Sequence, residues 1–242
     1  MSLQIKPDPA SEASKKQQVE QMFDNISHRY DFLNHLLSLG IDRGWRKKVR
    51  KYIGNYGHKY ILDVATGTAD LAIELCKLGD VSIIGVDISN GMLANGKVKL
   101  VKMGLDKKVI LLQADSENLP YADNEFDAIT VAFGVRNFED LKKGMVEMRR
   151  VLKVGGHLAV LEFSKPKSAI VSALYWFYFK RVVPTIGKLF SKDARAYTYL
   201  PVSVSAFPEG AGFVKIAEEC GYKNVRVQPL TFGISSIYLC EK

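Results

Sequence analysis

Three carboxylates stand at or just past the ends of apolar, β-type runs: Asp63 in YILDV, Asp87 in VSIIGVD and Asp115 in VILLQAD. After the first comes a turn of small residues, Thr66-Gly67-Thr68-Ala69, that opens into a helical pattern and lets backbone approach a ligand at a helix N-terminus. Asp87 occupies the position where nucleotide-binding α/β folds hold ribose hydroxyls. The turn carries a single glycine, Gly67, where a dinucleotide fingerprint needs three, and it offers hydroxyls in place of bare backbone. That argues against a pyrophosphate. The three acids in register suit S-adenosylmethionine, with Asp63 near its amino-acid end beside Gly67, Asp87 on the ribose, and Asp115 or Ser116 at the adenine amine. Solvated helix caps would produce such acids singly, but less readily three in register.

The elements that must position these residues can be read from periodicity. With 242 residues, 47% hydrophobic and 25% charged, the chain has the composition of a soluble globular protein and reads as one domain with an N-terminal helical lid. Residues 1–18 are polar and are expected to be a disordered tail. From Val19, the positions Met22, Phe23, Ile26 and Tyr30 follow helical spacing, and Phe32, Leu33, Leu36 and Leu37 continue an apolar face. Asp42 is a candidate N-cap for a second helix carrying Trp45, Val49 and Ile53. His28, Tyr30, Asp31 and Asn34 interrupt the apolar pattern, as expected if that face covers a polar ligand. An apolar β-type run from Tyr60 and strands at 81–88, 109–115, 126–133 and 157–163 alternate with helices, the first of them at 68–78. This alternation predicts an α/β fold with a mostly parallel, doubly wound sheet and a ligand at the strands' carboxyl ends. Runs at 224–230 and 234–240 can pair as an antiparallel hairpin, the closing feature of a class I methyltransferase, Rossmann-like, seven-stranded sheet. The domain then divides into a lid at 19–58, a cofactor-binding core at 59–164, an amphipathic region at 165–207 and a C-terminal helix and hairpin at 208–242.

Other chemistries are poorly served. Cys76, Cys220 and Cys240 are odd in number and widely spaced, which suits a reducing compartment and buried thiols. The four histidines show no metal-ligand spacing, so no metal is expected. No apolar run reaches bilayer length and the N-terminus lacks a signal-peptide core, so a cytoplasmic protein is expected.

The segments MFDNISHRYDFLNHLLSLGIDRGWR, LDVATGTADL, FGVRNFEDL, VLKVGGHLAVLEFSKP and YLPVSVSAFP resemble the ubiquinone/menaquinone biosynthesis C-methyltransferases over nearly the whole chain from Val19 onward. Where many members of that family have a G-G-T-G-D turn, this chain has Thr66-Gly67-Thr68-Ala69-Asp70, similar to members serving menaquinone alone. The resemblance implies S-adenosylmethionine as cofactor, with Thr68, Asp87, Asp115 and Ser116 at the family's contact positions. It implies a prenylated quinol as acceptor, 2-demethylmenaquinol first and a methoxy-benzoquinol as the alternative. Arg136, directly beyond strand four where the strand end should border the transferable methyl, is the best placed catalytic group, an ordinary surface ion pair being the plainer reading, with Asn137, Tyr30, Asn34 and His28 as candidates for substrate contact or proton relay. A phenol of pKa about 10 costs roughly 4 kcal/mol to ionise at pH 7, and a cation at about 4 Å in an effective dielectric near 20 recovers about as much. One well-placed arginine is therefore enough to activate the ring.

Residues 169–190, AIVSALYWFYFKRVVPTIGKLF, are aromatic and apolar, then basic. Lys165, Lys167, Lys180, Arg181, Lys188, Lys192 and Arg195 stand against the single acid Asp193, a composition suited to an anionic membrane surface on the inner face. A buried helix with solvated cations is the plainer reading. The same charge would serve an RNA methyltransferase, but strand four ends in VAFGVRN instead of an N-P-P-Y-like base-reading motif, so no nucleic acid is expected. A non-catalytic cofactor-binding module would have no use for the Arg136 segment. Self-association is left open.

Overall fold

Period-two alternation assigns each strand's side chains to two separate cores. The computed structural model describes residues 5–183, 185 and 195–242. Its strands are β1 (Tyr60–Val64), β2 (Ser82–Asp87), β3 (Val109–Gln113), β4 (Phe126–Ala132), β5 (Leu152–Phe163), β6 (Lys223–Leu230) and β7 (Ser235–Glu241). They form one sheet in the order β3-β2-β1-β4-β5-β7-β6, parallel except that β7 runs antiparallel to both of its neighbours. This is the α/β, class I methyltransferase sheet expected from the sequence, closing hairpin included.

The helices are α1 (Lys15–Ile26), α2 (Tyr30–Leu37), α3 (Ile41–Gly54), α4 (Asp70–Leu75), α5 (Asn90–Met103), α6 (Leu141–Val151), α7 (Ala169–Phe177), α8 (Arg195–Ala206) and α9 (Ala211–Glu219). Ile61, Ala128, Ala159 and Leu161 pack against α3, α4 and α5 on one face, whereas Leu62, Ile129, Val131 and Val160 pack against α6 and α9 on the other. Three layers result.

The strand order reverses between β1 and β4, which opens a crevice at their carboxyl ends. The chain turns sharply there. Ala65 and Phe133, just past the two strands, have φ of 51° and 59°, a left-handed conformation that L side chains adopt only at a cost of about 1–3 kcal/mol. Gly134 lies so close to β1 that a Cβ on it would meet the Ala65 Cβ at 2.5 Å. The turn Val135–Asn137 follows, carrying Arg136 and Asn137.

Several local expectations are corrected. The expected tail at 1–18 ends early, because a capping box of Ser14 and Gln17 starts α1 at Lys15 and the buried Lys15 side chain is anchored to the core. Asp42 is not an N-cap: Gly40, in the left-handed region at φ 74°, precedes α3, and Asp42 is turned inward to accept from Ser38 Oγ at 2.6 Å. The helix after β1 begins at Asp70, since Gly67 and Ala69 both take positive φ. Phe32 is exposed, and the side chains of Leu33, Leu36 and Leu37 lie outside the described residues.

Candidate active site

Two adjoining cavities open at the carboxyl edge of the sheet. The first lies over the ends of β1, β2 and β4 and is lined by Gly67, Asp87, Asp115, Ser116 and Phe138, among others. Asp87 anchors it: the Gly67 N–H donates to Oδ2 at 2.8 Å and the Ser89 N–H to Oδ1 at 2.9 Å. Each oxygen keeps a lone pair for a ligand. Burial pushes the Asp87 carboxyl up to about 6, against the pull of these N–H donors, with Asp24 adding to the rise. Lys16 also lines this cavity, but its Nζ is committed to Asp115 Oδ2 at 2.6 Å and Glu117 Oε2 at 3.5 Å. These carboxylate acceptors suit a ribose diol and an exocyclic amine, both of which donate, and Lys16 is already paired and so is not free for a phosphate.

The structure brings Gly67, Asp87, Asp115 and Ser116 together on this cavity, and it places Asp63 and Thr68 outside the cavity's lining. Asp63 lies beneath the cavity floor, 1% exposed, with Oδ1 accepting from Thr130 Oγ1 and Oδ2 from Thr66 Oγ1, both at 2.6 Å. Burial pushes its carboxyl up to about 6 in spite of both hydroxyls. Thr68 is turned away, donating its hydroxyl to Asp31 on the lid.

The second cavity is larger, about 1650 Å³ of open volume against about 720 Å³, and mostly apolar. Its walls come from α1, α2, α3, the turn after β4, the end of β5, α7 and α8. Phe23, Tyr30, Phe133 and Asn137 line both cavities and so mark their junction. Asn34 and Arg136 face the second cavity, as expected for acceptor contacts. His28 does not: it sits exposed on the short turn Ser27–Arg29, which interrupts the helical phase between α1 and α2, and it lines neither cavity.

Arg136 is not the lone cation that the sequence suggests. Its Nη1 lies 2.9 Å from Glu162 Oε1, with side chains 8% and 0% exposed, and it also donates to the Phe133 carbonyl. Burial pushes Glu162 upward against the opposing pull of Arg136. A neutral pair at this distance cannot lower a phenol's pKa as a free cation would. What it offers the cavity is a fixed donor: Arg136 Nε is buried without a partner, as is the acceptor Asn137 Oδ1. Lys15 fastens the same turn from outside, its Nζ donating to the Phe138 and Arg136 carbonyls at 2.6 and 3.1 Å. Burial pushes that ammonium down to about 8.

The lid is held by charge. Lys99 Nζ bridges Asp31 at 2.6 Å and Asp70 at 2.7 Å, and Arg46 pairs with Asp42 and, at 3.5 Å, with Asp70. His35, Asp42 and Asp70 approach one another closely enough to ligate a metal, but Arg46 and Lys99 already supply their counter-charge.

A family model described as the ubiE/COQ5 methyltransferase family matches residues 11–242. A demethylmenaquinone methyltransferase of Bacteroides fragilis is 49% identical over 239 residues, spanning 98% of this chain and 97% of its own. A ubiquinone/menaquinone biosynthesis C-methyltransferase of Geotalea daltonii is 45% identical over 230 residues, spanning 94% and 97%. Among solved structures, a SAM dependent methyltransferase from Aquifex aeolicus superposes with a TM-score of 0.58 at 18% identity, covering 93% of this chain and 96% of that one. The [4+2]-cyclase SpnF gives 0.61 at 16% identity, covering 95% and 97%. These two likenesses speak to the fold.

The Asp87 environment generates a prediction with a definite sign. Because its folded pKa is raised, the stability linked to Asp87 is fully present below the ordinary carboxylate range and is lost as pH rises through about 6. Affinity for S-adenosylhomocysteine runs the other way, since the ionised form accepts the ribose hydroxyls. Calorimetry should show affinity falling as pH drops through about 6, with proton release on binding below that pH. Asp87→Asn should weaken binding near neutral pH by roughly tenfold or more and flatten the profile. A flat profile in the wild-type protein contradicts this role.

Proposed function

This chain belongs to the ubiE/COQ5 methyltransferase family, and from that premise we propose that it methylates a ring carbon of 2-demethylmenaquinol to give menaquinol, the last step of menaquinone biosynthesis. It is an S-adenosylmethionine-dependent C-methyltransferase. The observation that carries the acceptor assignment is the junction itself: a polar nucleoside cavity meets a large apolar one at Phe23, Tyr30, Phe133 and Asn137. S-adenosylmethionine supplies an electrophilic methyl group there, held through Asp87, Asp115, Ser116 and the Gly67 turn.

The chain's own residues orient the acceptor. Arg136 Nε donates to the ring oxygen beside the reacting carbon, and Asn137 Oδ1 accepts from the hydroxyl at that oxygen. The new carbon–methyl bond would form as the methyl–sulfur bond breaks, leaving neutral S-adenosylhomocysteine, and the ring carbon's hydrogen would leave as a proton to solvent at the open rim of the acceptor cavity. Because Glu162 neutralises Arg136, the quinol is bound as a hydroxyl and not as a preformed phenolate. Its oxygen releases charge into the ring only as the new bond forms, and two fixed hydrogen-bonding groups stabilise that change. Trp45, Phe133 and Phe163, which pack together at ring-centroid distances of 4.6 to 6.2 Å, keep water from the junction.

The prenyl tail has a route out. Leu39, Leu174 and Phe177 line the acceptor cavity and are 81%, 68% and 62% exposed, so apolar surface continues from the cavity to its rim. Lys180 and Arg181 are exposed beside them, with Lys180 Nζ 5.4 Å from the Trp176 ring. Such a rim suits peripheral binding to an anionic membrane surface. Lys188, Lys192 and Asp193 lie outside the described residues. No helix among the described residues is long and apolar enough to cross a membrane.

Purified protein given labelled S-adenosylmethionine and detergent-dispersed reduced quinols should transfer label to demethylmenaquinol. Label in the corresponding benzoquinol alone would move the assignment to ubiquinone biosynthesis, and label in neither would contradict quinol methylation. For the rim, Leu174→Glu/Phe177→Glu should reduce co-sedimentation with phosphatidylglycerol vesicles several-fold while leaving cofactor affinity intact. Unchanged sedimentation would refute the membrane proposal.

A further inference from the structure

The acceptor cavity contains more unsatisfied polar atoms than one ring oxygen can use. Arg136 Nε and Asn137 Oδ1 belong to the turn after β4, where the cavities join. Two others belong to different elements: the hydroxyls of Tyr175, on α7, and Tyr199, on α8, are buried with no hydrogen-bond partner although both residues line this cavity. Each residue is 5% exposed. Buried hydroxyls are ordinarily paired, so two orphans on one apolar cavity indicate a ligand that supplies the partners. A cavity meant only for a prenyl chain would be served equally well by phenylalanine at both positions.

The two phenols are held for this purpose. The Tyr175 ring stacks on Phe179 at 4.3 Å and meets Trp176 edge-on at 5.4 Å. Tyr199 packs with Met22, Ile26 and Val183. Burial pushes the Tyr199 phenol up to about 12 and that of Tyr175 higher still, so both keep their protons in neutral solution. Each therefore presents one donor and one acceptor. Rings link Tyr175 to the ion pair, since Phe179 lies 4.3 Å from Tyr175 and 5.8 Å from Phe163, whose own ring is 5.7 Å from the guanidinium, and α8, which carries Tyr199, packs against the turn Val135–Asn137.

We infer that Tyr175 and Tyr199 form a second oxygen subsite, which binds the hydroxyl para to the one held by Arg136 and Asn137 and so selects 1,4-dihydroxyaromatic acceptors over monohydroxy ones. This rests on the quinol-acceptor reading of the cavity. A hydroxyl there can donate to one tyrosine and accept from the other; a ring lacking it leaves both unpaired.

The test is anaerobic equilibrium binding of 1,4-dihydroxynaphthalene and of 1-naphthol, with S-adenosylhomocysteine present throughout. The wild-type protein should prefer the diol by roughly tenfold or more. Tyr175→Phe/Tyr199→Phe should reduce the preference to within about twofold, chiefly by weakening diol binding. Its S-adenosylhomocysteine affinity and thermal midpoint should be no lower than those of the wild type, since removing unpaired hydroxyls relieves a cost. Should the double variant fold poorly, each single variant should still lower the preference. A wild-type protein without preference, or folded variants that retain it in full, overturns the subsite. Because the readout is binding, a failure of methyl transfer to quinols is registered separately, in the labelling experiment.

Discussion

A carboxylate with no exposed surface stays ionised at a strand end only when a cation is held against it, and the cation then loses its own freedom. Glu162, at the end of β5, is 0% exposed and holds Arg136 at 2.9 Å. The Phe163 N–H donates to the same Glu162 oxygen, and Arg136 reaches back to the Phe133 carbonyl. The ends of β4 and β5 are thereby tied through one charged contact. Everything that faces the acceptor depends on it: the turn carrying Arg136 and Asn137, the left-handed Phe133 before it, and Phe163, whose ring lies 5.7 Å from the guanidinium. Loss of one partner would strand a buried charge at a cost of about 3–5 kcal/mol, whereas loss of both would cost far less.

The lid solves a related problem with opposite materials. Tyr30 must reach the junction of the two cavities and Asn34 the acceptor cavity, yet the same short helix also carries Asp31 and His35. Lys99 and Arg46, from α5 and α3, take up the lid's acids and Asp70, so that polar side chains on one helix serve both as ligand contacts and as fastening. Exposed ion pairs contribute only about 0–1 kcal/mol each, but Asp42 and Arg46 are 4% and 8% exposed, and their contact is shielded from water. The fastening joins α2 and α3 to the start of α4, directly after the cofactor turn. Lid and cofactor cavity thus share a boundary.

The alternation of strands and helices and the closing hairpin are legible because strand periodicity and turn residues are local signals. Asp87, Asp115 and Gly67 were legible for the same reason: each sits where a strand gives way to a ligand-facing turn. Asp63 has the same local signature, but its fate is set by Thr130, its register partner on a strand that the sequence places 67 residues away. Thr68 was likewise decided by Asp31, 37 residues distant. His28 was misplaced because a short turn between α1 and α2 breaks helical phase. Glu162 went unremarked in LEFS because an acid in an apolar strand signals little until its partner across the sheet edge is known. The Tyr175 and Tyr199 hydroxyls offered no local clue, since an aromatic in an apolar helix reads as packing.

The central claim is that Arg136 acts on the acceptor and that Glu162 serves to fix it. The most direct measurement compares Arg136→Gln, Glu162→Gln and the double variant for thermal midpoint, S-adenosylhomocysteine affinity and single-turnover methyl transfer to demethylmenaquinol. The account predicts that the double variant regains most of the stability lost by either single variant and binds S-adenosylhomocysteine as the wild type does, yet transfers methyl at least about a hundredfold more slowly. A double variant that is stable and turns over near the wild-type rate would show the pair to be a structural strut with no part in the chemistry.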